Sequence, residues 1–241
     1  MQEGKTALVT GANKGIGREI ARQLAEKGYT VWMGCRDAAR GRTAVDALVA
    51  AGLDVRLLEI DVASDPSVTA AADALGREAG HLNVLVNNAG VPGFGTSPLE
   101  ESIANIKDIY EVNVFGPIRV TQAFQHLLKA AASARIVNVS SGLGSLGLMS
   151  DPASAYSKFN NLGYNSSKTA LNGVTVAFAN AFRSSGIKVN AADPGYVATD
   201  LNGHSGPRTV AQGATPVVRL ATLDESGPTG QFFEEFGAQA W

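Results

Sequence analysis

The sequence has a single cysteine among 241 residues, so no disulfide can form within the chain. That excludes a disulfide-stapled fold and suits reducing surroundings, with Cys35 read as a small buried apolar residue. Charge is sparse and evenly split: 17% of residues are charged, 20 Lys and Arg against 22 Asp and Glu. Neither sign forms a block, which leaves no broad footprint for nucleic acid or for an anionic membrane. Long apolar runs are missing too. Thr6 to Thr10 is too short for the core of a secretory signal, and nothing approaches the ~20 residues that span a bilayer. A cytoplasmic location is the expectation. His81, His126 and His204 are scattered, so each is expected to be structural or solvated and no metal site is expected.

What is present is a chain 45% apolar with 27 glycines, long enough for one domain over 1–241. Short β-rich runs near 5–10, 30–35, 54–60, 84–87, 135–140, 188–192 and 230–233 alternate with segments of helical period. This alternation predicts an α/β fold, a parallel sheet covered by helices. Ile16, Ile20 and Leu24 recur every fourth residue on one helix face, which should pack on the sheet. Gly28 marks the end of that helix, and Asp65-Pro66 reads as a cap with proline at the first helical position of another. Two stretches rich in small and polar residues, 142–163 and 196–213, read as loops framing a substrate site.

The first strand runs into Thr10-Gly11-Ala12-Asn13-Lys14-Gly15-Ile16-Gly17 and then directly into the amphipathic helix. Glycines there let backbone amides approach a pyrophosphate, and the helix N-terminus adds partial positive charge. The turn therefore points to a dinucleotide. At the end of the second strand Arg36 suits a ribose 2′-phosphate, since its planar donors can meet two phosphate oxygens, and Lys14 adds a second cation. Asp37 argues the other way, because a carboxylate there would bond free ribose hydroxyls and select NAD. The two cations outweigh it, so the expected cofactor is NADPH, with Asp37 solvated or paired with Arg40.

Tyr164 and Lys168 stand four residues apart in a helical segment and so share one face. A cation beside a phenol favours the phenolate and brings the group toward general acid–base use. Tyr156 has Lys158 only two positions on, which points the side chains to different sides, and it is rejected as the acid.

These features occur in a fixed order: Thr10-Gly11 to Gly17, Asp61-Val62, Asn87-Asn88-Ala89-Gly90, Asn113, Ile136 to Ser141, Tyr164 with Lys168, and Pro194-Gly195-Tyr196-Val197-Ala198-Thr199. In that order the chain resembles the short-chain dehydrogenase/reductase family over nearly its whole length. The resemblance implies a Rossmann-type doubly wound parallel sheet of about seven strands with helices on both faces. It implies that Tyr164 is the general acid in reduction and the base in oxidation. Lys168 would lower the Tyr164 pKa and bond the nicotinamide ribose, Asn113 in a helix would hold a relay water, and Ser141, preferred to Ser140, would bond the substrate oxygen. Gly11, Asn13, Lys14, Gly15, Ile16, Gly17 and Arg36 would hold the phosphates. Asp61 and Val62 would contact the adenine, Asn87, Ala89 and Gly90 would lie beneath the cofactor, and Pro194, Gly195, Val197 and Thr199 would hold the nicotinamide side.

The stretch between Ser141 and Tyr164 is longer than the family's common spacing. It is read as an insertion whose Leu143, Met149, Phe159 and Leu162 form an apolar wall, as do Phe94, Tyr196 and Leu201 elsewhere. Relatives are mostly dimers or tetramers, so a homodimer or homotetramer is expected, while longer inserts here, as in relatives resembling carbonyl reductases, can block one subunit interface and leave a monomer open. Trp241 is expected to complete the pocket or a subunit contact. The reading is an NADPH-dependent carbonyl reductase acting on an uncharged, apolar ketone or aldehyde. Its rivals are an NAD-dependent alcohol dehydrogenase of the same fold and an NADPH-sensing protein without turnover.

Overall fold

Alternate residues of each strand part into two buried layers. Ala7 and Val9, Val31 and Met33, Val84 and Val86, Val137 and Val139 fall in one apolar cluster. Leu8, Trp32, Leu85 and Ile136 fall in another. A sheet whose two faces are both apolar must be covered on both sides, which is the sequence condition for parallel strands. The computed structural model describes residues 4–93 and 97–241; Phe94, expected in the substrate wall, lies outside them.

The strands are β1 Lys5–Thr10, β2 Tyr29–Cys35, β3 Val55–Glu59, β4 Val84–Asn87, β5 Arg135–Val139, β6 Lys188–Ala192 and β7 Phe232–Phe233. They form one sheet in the order β3-β2-β1-β4-β5-β6-β7, every neighbouring pair parallel. The order reverses between β1 and β4, so the strand ends part there and leave a crevice. The last strand is shorter than the expected 230–233. Gly230 N–H still donates to Val189 O at 2.8 Å, and Thr229 Oγ1 accepts from Val189 N–H at 3.0 Å, so the chain follows β6 before pairing regularly.

Helix α1 (Gly15–Glu26) buries Ile20, Ala21 and Leu24, and Gly28 at φ 82° turns the chain away after it. Helix α2 (Ala38–Val49) lies beside α1 in the first layer. In α3 (Asp65–Ala79) the cap is Ser64, not the expected Asp65: the Ser64 hydroxyl accepts from Ser67 N–H, while Asp65 occupies the first turn with Pro66. A carboxylate is favourable there too, against the helix dipole. Helices α4 (Ile103–Tyr110) and α5 (Gly116–Ala130) are joined without a break by a π-helical turn, Glu111–Phe115.

The expected loops are more ordered than their composition suggests. Region 142–163 contains 3-10 turns at 142–144 and 155–158 and a short helix α6 (Leu146–Ser150), and it runs into α7 (Leu162–Ala181). Ser141, Ser145 and Ser154 each accept a backbone N–H at the start of one of these turns, so serine caps replace a helical period. Region 196–213 likewise holds a 3-10 turn at 200–202 and the first turn of α8 (Val210–Ala221), fixed by a reciprocal Thr209–Gln212 capping box. Among the described residues, no helix is long and apolar enough to cross a membrane.

Candidate active site

The glycine turn after β1 is clamped from behind. Thr10 Oγ1 accepts the N–H groups of Asn88 and Ala89, each at 3.0 Å, and Asn88 Nδ2 donates to Thr10 O at 2.8 Å and Gly11 O at 3.2 Å. Gly17 packs so tightly under this clamp that a Cβ would fall 2.3 Å from Asn88 Nδ2 and 2.6 Å from Gly11 O. Sequence reasoning gave Asn88 no role of its own. Its place between Asn87 and Ala89 in the motif was visible, but not which backbone groups it reaches.

No side chain caps the start of α1, whereas Asp37, Ser64, Ser102 and Thr209 cap α2, α3, α4 and α8. The first N–H groups of α1, like those of α5 and α7, have no side-chain cap, and in α1 they follow the glycine turn, the arrangement a pyrophosphate site requires. The crevice in front of them has a volume of about 440 Å³. Gly11, Asn13, Lys14, Gly15, Ile16 and Gly17 form one wall, with Arg36 after β2, Asp61 and Val62 after β3, and Ala89 and Gly90 after β4. Tyr164 and Lys168 from α7 and Pro194 and Thr199 after β6 complete it. The residues present therefore fit a dinucleotide laid along the strand ends.

Three expected cofactor contacts, Asn87, Gly195 and Val197, are not on this wall, and neither are the expected catalytic residues Asn113 and Ser141. Asn87 is buried and donates to Asn138 Oδ1 at 2.9 Å and Thr121 Oγ1 at 3.3 Å, so it ties β4 to β5 and α5 instead. Gly195 turns at φ 74° and donates to Asp193. Val197 is buried and bridges to Arg208.

The cations differ in their surroundings. Arg36 is exposed at the crevice rim, and Asp37 is engaged as the α2 cap and by Arg40, whose Nε lies 3.3 Å from its carboxylate. Lys14, expected beside Arg36 as a second cation, pairs with Asp200 at 2.8 Å. Asp200 also meets His204 Nε2 at 2.9 Å, and Lys14 above all holds its carboxyl below the usual range. Of the other histidines, His81 bonds the carbonyls of Ala79 and Gly4 and His126 that of Ala123. Cys35 is buried as expected.

At the far end of the crevice, α7 brings Tyr164 and Lys168 together on one face, both buried. Lys168 Nζ donates to Val139 O at 2.8 Å and lies 5.7 Å from the Tyr164 ring centroid. The Ser141 hydroxyl hydrogen-bonds the Tyr164 phenol. Ser140 lines the crevice, but its hydroxyl donates to Asn172 Oδ1 at 2.6 Å. Asn113 lies not in regular helix but in the π-helical turn, where π-bulges commonly aim side chains at sites. Its Oδ1 accepts from Val91 N–H at 2.9 Å and its Nδ2 donates to Val91 O and Ser167 Oγ, both at 3.1 Å.

Burial pushes the Tyr164 phenol up to about 12, with Ser141 opposing and the charge of Asp193 reinforcing. Burial takes Lys168 down to about 8, and Asp193 opposes. The expected lowering of Tyr164 by Lys168 is therefore absent in this state: desolvation of the phenolate outweighs a cation aimed at Val139.

On the substrate side Leu201 lines the crevice, while Phe159, Leu162 and Tyr196 are exposed and are not part of its wall. Leu143 and Met149 are half-buried. Trp241 stacks on Phe232 with centroids 5.6 Å apart, and its carbonyl accepts from Gly147 N–H at 2.9 Å, so it backs the insertion. A second hollow of about 390 Å³ lies between α3 and α5, but its charged residues Asp65 and Arg119 are already paired with each other.

A family model described as short chain dehydrogenase matches residues 5–209. The chain is 34% identical to (+)-neomenthol dehydrogenase of Arabidopsis thaliana, over 94% of this chain and 95% of that protein. It is 31% identical to salutaridine reductase of Papaver somniferum, over 95% of this chain and 94% of that protein. The solved structure of that reductase superposes with a TM-score of 0.84 at 30% identity, covering 95% of this chain and 99% of the other. An NADPH-bound carbonyl reductase from chicken fatty liver superposes with a TM-score of 0.88 at 29% identity, covering 99% of this chain and all of the other. Motifs, sheet order and these likenesses agree: the chain belongs to the short-chain dehydrogenase/reductase family of oxidoreductases.

Proposed function

We propose that this protein is an NADPH-dependent carbonyl reductase, converting an uncharged ketone or aldehyde to an alcohol. The observation that carries this reading is that Tyr164, hydrogen-bonded by the Ser141 hydroxyl, and Lys168 lie together at the end of a crevice that begins at the uncapped start of α1. A nicotinamide dinucleotide bound there would supply the hydride. The protein supplies position and a proton. With its pKa near 12, Tyr164 is protonated at neutral pH and so holds the proton that the reduced carbonyl oxygen needs. Ser141 orients that phenol and offers a second donor to the same oxygen. Lys168 is held against Val139 O, and Asn113 braces the segment after β4 through both polar groups of Val91.

Preference for NADPH is supported by Arg36 at the rim and by the engagement of Asp37, which also lines the crevice, in the α2 cap and with Arg40. The chicken carbonyl reductase, described as NADPH-bound, supports the same choice. The exposed apolar side chains of Phe159, Leu162 and Leu201 suit an uncharged substrate. The test is to follow the absorbance of reduced cofactor with NADPH and with NADH across small aromatic and aliphatic ketones. Faster NADPH consumption is the expected result. Faster NADH consumption overturns the cofactor assignment, and tight binding without turnover on any carbonyl overturns the activity.

A further inference from the structure

Among the described residues, Asp193 is the only buried carboxylate, 3% exposed at the end of β6. It is not on the crevice wall. It sits behind it, where segments distant in sequence meet. Its Oδ1 accepts from Gly195 N–H at 2.8 Å, in the loop expected to hold the nicotinamide side. Its Oδ2 lies so near Gly142, in the turn after β5, that a Cβ there would fall 2.9 Å away and would strike the Tyr156 ring at 2.4 Å. The N–H of Gly142 bonds the carboxylate, and the side chains of Gln239, after β7, and Arg208, before α8, face it. Its own N–H donates to Phe233 O at 2.7 Å. Burial pushes this carboxyl above the usual range, and the N–H groups of Gly195 and Gly142, from two separate chain segments, oppose that shift.

We propose that Asp193 is a positioning residue of the active site: its carboxylate clamps the turn after β5 to the loop after β6, and its own N–H ties both to β7, at one point behind the crevice wall. The clamp explains the glycine at 142, where a side chain would have to displace Tyr156 or the carboxylate itself. It also gives Tyr156 a use outside catalysis, as the ring that closes the insertion over Gly142. The groups facing the carboxylate are Arg208 and Gln239, the Tyr156 phenol, and Tyr164 and Lys168 from α7. Glu234 acts on Tyr156 and Glu235 pairs with Arg208, so both lie a step further out.

The kinetic consequence rests on the reductase reading above, and the structural one does not. The test therefore begins on the full chain without cofactor: ¹³C NMR of labelled lysine side chains, with the Lys168 signal identified by its loss in Lys168→Arg. In the wild type this signal should titrate near pH 8. In Asp193→Asn, which keeps an acceptor for Gly195 but no charge, the midpoint should move to lower pH. The alkaline limb of the reductase profile should move with it, and kcat should fall about tenfold through misplacement of the site. Asp193→Ser, smaller and also uncharged, is the second variant should the first fail to fold. A kcat and a Lys168 midpoint both unmoved in a folded, uncharged variant overturn the proposal. Absence of turnover in the wild type would sink the reductase reading instead, and would leave the lysine titration to decide Asp193.

Discussion

Lys168 Nζ donates to Val139 O at 2.8 Å while lying 5.7 Å from the centroid of the Tyr164 ring. The ammonium is thus tethered to the end of β5. Both groups are buried, and each is pushed toward its neutral form, Lys168 to about 8 and Tyr164 to about 12.

Stability should respond to pH in opposite senses at these two groups. Between about pH 8 and 10.5 the unfolded chain carries a proton on Lys168 that the native chain has lost, so stability rises with pH there, by about 3 kcal/mol for the full interval. Between pH 10 and about 12 the unfolded chain has lost the Tyr164 proton that the native chain keeps, so stability falls. Lys168→Met should therefore abolish the rise, measured as urea midpoints across pH 7 to 10 without cofactor. A rise of equal size in that variant would show that another group causes it.

Tyr164→Phe removes one oxygen from a buried site and leaves the ring in place. Turnover should fall roughly 10²- to 10⁴-fold, the usual span for loss of a general acid, while NADPH binding followed by fluorescence should stay within a factor of two or so. Ser141→Ala should lower kcat more modestly and Ser140→Ala should lower stability, since only Ser141 reaches the phenol and Ser140 is bonded into the core. Equal kinetic effects of the two serine variants would contradict that division.

The β1-turn-α1 unit was legible in sequence because its signals are local: a short apolar run, glycines, and an apolar residue every fourth position. Tyr164 and Lys168 were legible for the same reason. The turns within 142–163 were not, because serine caps act over two or three residues and leave no period. Asp193 was invisible as a clamp, since its partners are at 142, 195, 208 and 239. The Lys14–Asp200 pair was equally hidden: the two residues belong to loops at the ends of β1 and β6, and only the crevice brings them together.

Gly17 tests the clamp on the glycine turn. A methyl at this position would meet Asn88 Nδ2 at 2.3 Å and Gly11 O at 2.6 Å, and backbone on one side leaves no flexible group to yield. Gly17→Ala should cost about 1–3 kcal/mol by overpacking and weaken NADPH binding together with it. Asn88→Ala removes the bonds to Thr10 O and Gly11 O without any clash, so it should weaken the cofactor with a smaller loss of stability, about 1–2 kcal/mol. Thermal unfolding and cofactor titration on both variants separate the two effects.

Cofactor choice turns on which cation is free to meet a phosphate. Lys14 is engaged by Asp200, which is itself shared with His204, while Asp37 is engaged by the α2 cap and Arg40. Arg36 should then carry most of the discrimination, because a guanidinium can meet two phosphate oxygens at once. Arg36→Ala should raise the KM for NADPH by roughly tenfold or more and leave that for NADH nearly unchanged. Asp200→Asn releases Lys14, and if the 2′-phosphate competes with Asp200 for that ammonium, NADPH should bind more tightly in this variant while NADH does not. Equal tightening of both cofactors would place Lys14 at the pyrophosphate, which the two share, and remove it from the discrimination.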